Sequence, residues 1–275
     1  MGAKTDDRGL FERTIAPGLV MIGQSILSRA EFVPTPLTPE ERKRLADETR
    51  AKAIADFPFE LIETRGEEAF ATWTRLKFAG RGAPVVLGHD DDVDGVVSGL
   101  HLRGSQPAEE ILAAAARLRH PENLIAWRAA VEAGYDEYSP PPVGEWPAQP
   151  DSMPGLLVTR GLTRKTVHIG IVPTDDWTTI PAHFCWGGWN ACPPPEYHVA
   201  ALRAWRDRFG AELMGLSTSC MDLRVARPPQ SRADALDLAR EHYVYCSDII
   251  DQGLGTYSGW AAPVLGNEWW SFWWD

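Results

Sequence analysis

The 275-residue sequence lacks long hydrophobic runs, an apolar leader and an excess of basic residues, and each absence excludes a class of protein. No run of 18 apolar residues occurs, so we predict no membrane-spanning helix and no membrane partner. Met1 to Asp7 contain acidic residues and no apolar stretch, which excludes a secretory signal, and the residues after Gly2 do not fit myristoylation. The formal net charge of -11 predicts no nucleic-acid partner, because such binding relies on Lys and Arg to neutralise phosphates.

Cysteine and known catalytic motifs are also scarce. Four cysteines without an export signal predict reduced thiols and a cytoplasmic location. The sequence contains no nucleophile elbow, P-loop, dinucleotide fingerprint or His-Glu-x-x-His motif. We therefore predict no cofactor, and the sequence does not name a reaction.

Proline is concentrated in one segment, with six prolines in the 17 residues from Tyr138 to Pro154. This density excludes a helix interior and a central strand. We therefore predict a proline-rich linker at 138–155. An N-terminal, helix-rich mixed α/β domain would occupy 1–137, and a tryptophan-rich α+β domain would occupy 156–275.

Periodicity predicts the elements on each side of this linker. Before it we predict helices at 39–55, 67–77, 109–118 and 122–133, with strands at 59–63 and at 84–88, the latter running into an acidic loop. After it we predict strands at 166–172, 212–216, 221–225 and 269–274, and helices at 196–209 and from Ser231 to Cys246. The C-terminal order is β-α-β-β-α-β, which predicts a ferredoxin-like sandwich within an α+β protein.

Nine of the twelve tryptophans lie between Trp177 and Trp274. The segment from Trp269 to Asp275 carries five large aromatic rings. Alternation places Trp270, Phe272 and Trp274 on one side of a strand, and Trp269, Ser271 and Trp273 on the other. We interpret this segment as a buried last strand, whose removal should unfold the C-terminal domain.

The segment from His183 to Pro195 is the main candidate for function. Its paired glycines allow close backbone approach, and Trp186 and Trp189 offer flat contact area. Asn190 can form a cap or a bridge, and the helix that begins at Glu196 could hold a small anion. The alternative is that these tryptophans pack into the core and the loop is a rigid crossover.

Two weaker hypotheses concern the thiols and imidazoles of the C-terminal part. His183, Cys185, Cys192 and His198 lie within sixteen residues, and His242 and Cys246 have the spacing that places two zinc ligands on one helix face. Cys185 or Cys192 could act as a nucleophile with His183, His198 or Asp248 as partners. Because free cysteine is often buried for packing alone, we favour no metal site.

A third weak hypothesis is a calcium loop. Asp90, Asp92, Asp94 and Gly95 match positions one, three, five and six of such a loop. The twelfth position, which requires a glutamate, is His101. We therefore favour a solvated acidic turn.

A set of motifs in order resembles a known family. The run from Trp186 to Pro193 is followed by Leu202 to Glu212, Pro228-Pro229, Tyr245 to Asp248, Gln252-Gly253 and Phe272 to Asp275. Together they resemble the bacterial family catalogued as domain of unknown function 4253, over roughly 167–275. The resemblance implies a bacterial, cytoplasmic protein without an assigned activity. It marks the following signature positions: Trp186, Asn190, Cys192, Asp248, Gln252 and Asp275.

Two functions remain open. The first is a non-catalytic binding module, similar to immunity proteins, which recognises a protein partner or a small ligand. Its predicted binding residues are Trp186, Trp189, Asn190, Asp248 and Gln252. The alternative is a hydrolase or transferase with its site between the 183–195 loop and the 248–253 turn, where Asp248, His183 or His198 would perform acid–base chemistry.

Overall fold

Six strands form one mixed sheet in this protein. The computed structural model of the chain describes residues 37–103, 106–134, 139–150 and 166–275. The strands are β1 Glu60–Thr64, β2 Ala83–Gly88, β3 Val167–Val172, β4 Ala211–Leu216, β5 Cys220–Val225 and β6 Trp269–Trp273. Their order in the sheet is β1-β3-β2-β4-β5-β6. Only the β2–β4 pair is parallel, and the other four neighbouring pairs are antiparallel.

Nine α-helices accompany the sheet in the described ranges. They are α1 Pro39–Asp56, α2 Ala69–Lys77, α3 Asp90–Arg103, α4 Ala108–Ala115, α5 Glu122–Glu132, α6 Ile180–His183, α7 Pro195–Phe209, α8 Arg232–Tyr245 and α9 Tyr257–Val264. Among them, none is both long and apolar enough to cross a membrane. The predictions for residues 1–7, on a leader and a lipid, lie outside the described residues.

Helix ends follow the local sequence. Gly210 ends α7 in the left-handed conformation, with φ 60°, which glycine adopts without steric cost. The Ser231 hydroxyl accepts a hydrogen bond from the backbone N–H of Asp234 at 3.1 Å and so caps α8. Both ends were predicted from the sequence, because capping depends on residues that are close together in the chain.

The two faces of the sheet bury separate cores. Val85 and Leu87 of β2 belong to the larger core, which also receives side chains of α1, α3, α7, α8 and α9. Val86 faces the opposite side, where Trp73 and Leu76 of α2 pack. This alternation follows from the two-residue period of a strand, and it shows that β2 is covered on both faces.

The mixed α+β class is confirmed, and so is the β-α-β-β-α-β order of the elements that were predicted after the linker. The ferredoxin-like sandwich is not confirmed, because β2 from the N-terminal side lies between β3 and β4, while β4, β5 and β6 are consecutive antiparallel neighbours. The two-domain layout is not confirmed for the same reason. Strands from both sides of the proline-rich segment share one sheet.

The proline-rich segment is extended and attached to the body. Residues 139–150 contain no helix or strand, whereas 138 and 151–155 of the predicted linker lie outside the described residues. The carbonyls of Pro142 and Val143 accept hydrogen bonds from the backbone N–H groups of Tyr257 and Ser258, at 3.1 and 2.8 Å. These N–H groups belong to the first turn of α9, which has no intrahelical acceptors. The segment therefore caps a helix.

The acidic segment after β2 is helical, which corrects the prediction of an acidic loop. Asp90 is the first residue of α3, and Asp92 and Asp94 lie within that helix. Side chains two residues apart on a helix do not face each other, so these three carboxylates do not encircle one ion. Gly95 has a packing role, because a Cβ at this position would lie 1.9 Å from the Thr218 hydroxyl.

Two elements between α8 and β6 were not predicted. A π-helical turn spans Ile249–Leu254, and α9 follows it. The turn includes Gly253 in a non-helical conformation, and α9 contains Pro263. Glycine and proline disfavour helices locally, so this segment gives no helical signal in the sequence.

Candidate functional site

The tryptophan-rich loop is the segment from His183 to Pro195. It lies beside the carboxyl ends of strands of the sheet, and this row of strand ends is called the sheet edge below. The indole N–H of Trp186 donates to the carbonyl of Ser217, directly after β4, at 2.8 Å. The Asn190 side chain donates to the carbonyl of Asp275, beyond the end of β6, at 2.6 Å. The strands β2, β4 and β6 run in the same direction and end at this edge. Ligands of open α/β sheets commonly bind outside such carboxyl ends.

Trp186 is part of the core. Its side chain is fully buried, and its ring makes edge-on contacts with Trp189, His198 and Trp274 at centroid distances of 5.0, 4.8 and 5.3 Å. A residue in this position cannot contact a ligand without disrupting the packing. Trp186 therefore supports the loop from beneath, which agrees with the packing alternative for this residue.

Gly187 allows the loop to approach α7. Its φ of +118° is a conformation that residues with side chains rarely adopt. A Cβ at this position would lie 2.3 Å from the carbonyl oxygen of Pro193 and 2.7 Å from Nε2 of His198. The Trp-Gly-Gly-Trp motif thus has a structural explanation, because the backbone of Gly187 packs directly on the imidazole ring.

His198 is the polar centre of the aromatic core around this loop. Its Nδ1 lies 2.6 Å from the Tyr245 hydroxyl, and its Nε2 lies 3.4 Å from Sγ of Cys192. The side chain is fully buried, and this burial lowers the pKa of His198 to about 3, although a hydrogen bond to the Pro193 carbonyl opposes the shift. The imidazole is therefore neutral at physiological pH, and it organises neighbouring side chains.

The C-terminal residue Asp275 joins the two segments between which the sequence predicts a site. Its backbone N–H donates to Oδ2 of Asp248 at 2.9 Å, and its carbonyl accepts from Asn190. The predicted residues Asn190 and Asp248 are thus brought together through a third residue. Asp248 is only 8% exposed, and one of its carboxylate oxygens is used by this bond.

Other predicted residues lie at the surface around this junction. Trp189 is half-buried, and Asn190 and Gln252 are exposed. Asp251, in the same π-helical turn as Gln252, is exposed and accepts a hydrogen bond from the Tyr243 hydroxyl at 3.2 Å. Partial burial raises the pKa of Asp251. Of the five predicted binding residues, three are accessible, and two, Trp186 and Asp248, are buried.

Arg128 of α5 connects the tryptophan-rich loop to the end of α8. The sequence did not predict this role. Its guanidinium donates to the carbonyl of Val244 at 3.1 Å and to that of Ala191 at 3.2 Å, although only 5% of the residue is exposed. It also lies over the ring of Trp127, at 5.3 Å from the centroid. No local pattern distinguishes this arginine from a solvent-exposed one, since arginines are mostly exposed.

The thiols each have separate partners. Cys185 donates to the carbonyl of Gln106 at 3.2 Å, and Cys246 donates to that of Trp273 at 2.9 Å. Burial raises the pKa of the Cys246 thiol, with the Asp248 carboxylate adding to the shift. Nδ1 of His242 accepts from the Trp260 indole at 3.1 Å. Within the described ranges, no three His, Cys, Asp or Glu side chains are placed to hold a metal ion.

An imidazole and a carboxylate also meet farther along the same sheet edge. Nε2 of His168, at the start of β3, lies 2.7 Å from Oδ1 of Asp90. His168 is 3% exposed, and its Nδ1 has no hydrogen-bond partner among the described residues. The pair connects β3 to the start of α3. Asp90, the first residue of this helix, therefore has a structural role.

Comparison with known proteins supports the resemblance that the motifs indicate. No curated protein and no solved structure matches the chain. The signature positions Trp186, Asn190, Cys192, Asp248, Gln252 and Asp275 all lie inside the segment that a family model matches. This C-terminal segment, residues 168–275, matches the family described as Domain of unknown function (DUF4253).

Proposed function

We propose that this protein is a non-catalytic binding module that recognises a basic protein partner. The binding region would be the loop–turn surface, defined here as Trp189, Asn190, Asp251, Gln252 and Asp275. The observation that carries this proposal is the junction at Asp275. Hydrogen bonds connect Asn190 of the loop and Asp248, directly before the π-helical turn, to Asp275, which supports a shared binding surface formed by these three segments.

The loop–turn surface is supported from beneath. Arg128 donates hydrogen bonds to the loop at Ala191 and to the end of α8 at Val244. Trp186 fixes the loop to Ser217. A surface that is already ordered loses little conformational entropy when a partner binds, so more of the contact energy appears as affinity.

The composition of this surface favours a protein partner. Tryptophan is enriched where binding energy is concentrated at interfaces, and Trp189 is accessible on one side while it packs on Trp186 on the other. Asp251 and Asp275 add exposed carboxylates, and the formal net charge is -11. This charge favours a basic partner. Acidic immunity proteins that neutralise toxins offer an analogy in composition only.

The alternative of a hydrolase or transferase has less support. Cys192 and His198 are 1% and 0% exposed, so a substrate at the surface does not reach them. A histidine with a pKa of about 3 is a weak base, whereas efficient general bases have pKa values near the working pH. Asp248 is buried and already accepts a backbone hydrogen bond.

The proposal is tested by comparing variants of the loop–turn surface. The wild-type protein would be immobilised to isolate a partner, and the affinity of the purified partner would then be measured by calorimetry. We expect Trp189→Ala to weaken binding about tenfold or more, because accessible tryptophans commonly carry at least 1–2 kcal/mol of binding energy. The affinity should also fall as the salt concentration rises.

The matched control is Phe78→Ala at the end of α2. Phe78 is 78% exposed and lies outside the loop–turn surface, so its removal should leave the affinity unchanged. Equal binding by the wild-type and Trp189→Ala proteins would disprove the proposed surface. Turnover of a hydrolase or transferase substrate that Asp248→Asn abolishes would support the enzymatic alternative instead.

A further inference from the structure

A second candidate site is a cavity beside the C-terminal end of α2, and it shares no residue with the loop–turn surface. Its volume is about 420 Å³, which is within the range that accommodates small molecules. Its lining includes Lys77 and Phe78 from the end of α2, Glu212 of β4, Arg224 of β5, and Glu268 directly before β6. This lining combines charged side chains with an aromatic ring.

The sheet register and α2 bring the charged groups of this cavity together. Glu212 is directly opposite Arg224, which is directly opposite Trp269 of β6. Residues that are directly opposite in antiparallel strands share one face of the sheet, with Cβ atoms about 5 Å apart. The helix packs on this row, because Lys77 pairs with Glu212 and the ring of Phe70 contacts Arg224 and Trp269. The two ion-pairing groups are therefore neighbours on one face.

The carboxylate of Glu212 is already compensated. Nζ of Lys77 lies 2.6 Å from Oε1 of Glu212 and 2.7 Å from Oε2. The same ammonium group lies 5.6 Å from the ring centroid of Trp73 and 5.7 Å from that of Phe78. This neutral pair forms a polar wall of the cavity, and it connects Phe78 on one side to the neighbour of Arg224 on the other.

Arg224, by contrast, has unused hydrogen-bonding capacity. Its guanidinium carbon lies 5.1 Å from the ring centroid of Phe70, which holds the side chain in place. Its ion pair with Glu268 measures 3.8 Å between Nη2 and Oε2, which is too long for a hydrogen bond. Arg224 donates no hydrogen bond to any residue in the described part of the chain, although a guanidinium carries five N–H donors. It is a positioned cation that can bind a carboxylate.

Phe78 supplies the apolar part of the cavity. The residue is 78% exposed, so its ring is open to a ligand. Val225 and Ala226, at the end of β5, add to the lining beside Arg224. Removal of apolar surface from water is favourable, so a planar apolar ligand that covers the ring of Phe78 gains affinity.

We propose that this cavity binds a small aromatic carboxylic acid. The ligand carboxylate would form two parallel hydrogen bonds with the guanidinium of Arg224, and the ligand ring would lie against Phe78. The ligand would replace Glu268 as the partner of Arg224, since the side chain of Glu268 is 63% exposed and can turn into solvent. A dianion such as a phosphate monoester suits the site less well, because Glu212 and Glu268 line the same cavity.

The test uses calorimetric titration of the full chain with benzoate, salicylate, phenylacetate and indole-3-acetate. We expect at least one of them to bind with a dissociation constant below about 1 mM. Two analogues of that acid are then titrated, the matching alcohol, in which CH₂OH replaces the carboxylate, and acetate, which lacks the ring. Both should bind at least about tenfold more weakly, because each loses one of the two contacts.

Three variants assign the binding to Arg224. Arg224→Gln should weaken binding at least about tenfold, and Arg224→Lys should not restore it, because an ammonium group lacks the planar fork of donors. Glu268→Gln should strengthen binding about twofold to fivefold, because it removes a competing carboxylate of ordinary surface ion-pair strength. Arg240→Gln is the control, since Arg240 is a partly exposed arginine that pairs with Asp237 and does not line the cavity.

Two further variants separate this proposal from that of the loop–turn surface. Phe78→Ala should weaken binding of the acid and leave the affinity for the protein partner unchanged. Trp189→Ala should have the opposite effects. Thermal unfolding of each variant checks that the fold is retained.

Three results would overturn the proposal. The first is the absence of binding for all four acids at about 10 mM, a concentration that saturates a site of millimolar affinity. The second is equal binding of the alcohol or of acetate, which would indicate a plain apolar site or a plain anion site. The third is wild-type affinity in Arg224→Gln, or an affinity that does not rise in Glu268→Gln, because either would place the ligand carboxylate elsewhere.

Discussion

At the scale of single residues, Gly187 combines an unusual backbone conformation with a lack of space. Its φ is +118°, and a Cβ would lie 2.3 Å from the Pro193 carbonyl oxygen. The neighbouring Gly188 also has a positive φ, +80°, but a Cβ there would meet only Cα of Pro194, at 4.0 Å. At Gly187 both the backbone conformation and the lack of space exclude a side chain, whereas at Gly188 only the backbone conformation disfavours one.

We predict that Gly187→Ala destabilises the protein by about 3 kcal/mol or more, because backbone strain and a steric clash add. Gly188→Ala should cost roughly 1 kcal/mol, because only the strain applies. The measurement is the free energy of unfolding in urea for the wild type and both variants. Equal losses in the two variants would show that the contact with Pro193 does not constrain the loop.

Two buried histidines make the stability depend on pH. Burial lowers the pKa of His198 and of His242 to about 3 in the folded protein, with the Glu241 carboxylate opposing the shift at His242. In the unfolded chain a histidine has a pKa near 6.5, so below this pH the unfolded state binds more protons. Stability is therefore greatest above about pH 6.5 and falls as the pH decreases towards 3.

We predict that the free energy of unfolding falls by about 1.4 kcal/mol per pH unit for each of these histidines between roughly pH 6 and 4. His242→Phe removes one of the two titrating groups. It should therefore reduce the slope of the unfolding free energy against pH by about 1.4 kcal/mol per pH unit, whatever its effect on stability at neutral pH. The measurement is a series of urea titrations at different pH values. The exposed His101→Gln variant is the control, and an unchanged slope in His242→Phe would contradict the prediction.

Sequence motifs identify some residues of the candidate functional site. Trp186, Asn190 and Asp248 stand out in the sequence, and the structure brings all three to one sheet edge. The sequence does not separate the buried members from the accessible ones. Nor does it identify Arg128, because its acceptors, Ala191 and Val244, are distant in the chain.

At the scale of elements, β6 shows the clearest agreement between pattern and structure. The alternation in the closing segment predicts that Trp270, Phe272 and Trp274 share one side of a strand, and in the structure these three residues are buried in the core, at 0%, 0% and 1% exposed. The opposite positions Trp269 and Trp273 are only half-buried. The fully buried rings therefore lie on one face of the strand, in the larger core that also contains side chains of α7, α8 and α9.

We predict that Trp270→Ala costs roughly 3–5 kcal/mol of stability, because it leaves a large cavity in the core. Trp273→Ala should cost about 1–2 kcal/mol, since part of that ring already contacts water. The free energy of unfolding in urea distinguishes the two variants. Equal costs would show that the two faces of β6 are packed to the same extent.

Deletion of the segment from Trp269 to Asp275 tests the whole element. It removes the strand that pairs with β5 along five residues, together with three buried rings. We expect the shortened protein to lose its cooperative thermal transition and its near-ultraviolet circular dichroism. A cooperative transition in the shortened protein would show that β6 is dispensable for folding.

At the scale of the whole molecule, the sheet combines strands from distant parts of the chain. β2 hydrogen-bonds to β3 on one side and to β4 on the other. The matched family segment begins at residue 168 and so contains β4, β5, β6 and nearly all of β3, but not β2. The described residues from Pro39 to Asp275 form one compact unit.

We predict that a fragment of residues 156–275 does not fold cooperatively on its own, because without β2 the strands β3 and β4 lose their shared partner. Circular dichroism and a urea titration of this fragment provide the test. The control is the chain of residues 37–275, which retains β2 and should unfold cooperatively. A cooperative transition of the short fragment would instead support the domain boundary predicted at 138–155.

The sequence by itself determined the α+β class, most element positions and the burial of the last strand. These features depend on residue periods, caps and turns, which involve neighbours in the chain. Only the tertiary structure decided the strand order, the burial of Arg128 and the junction of Asn190 and Asp248 at Asp275. Each of these depends on contacts between residues that are far apart in sequence, and such contacts leave no period or spacing in the chain.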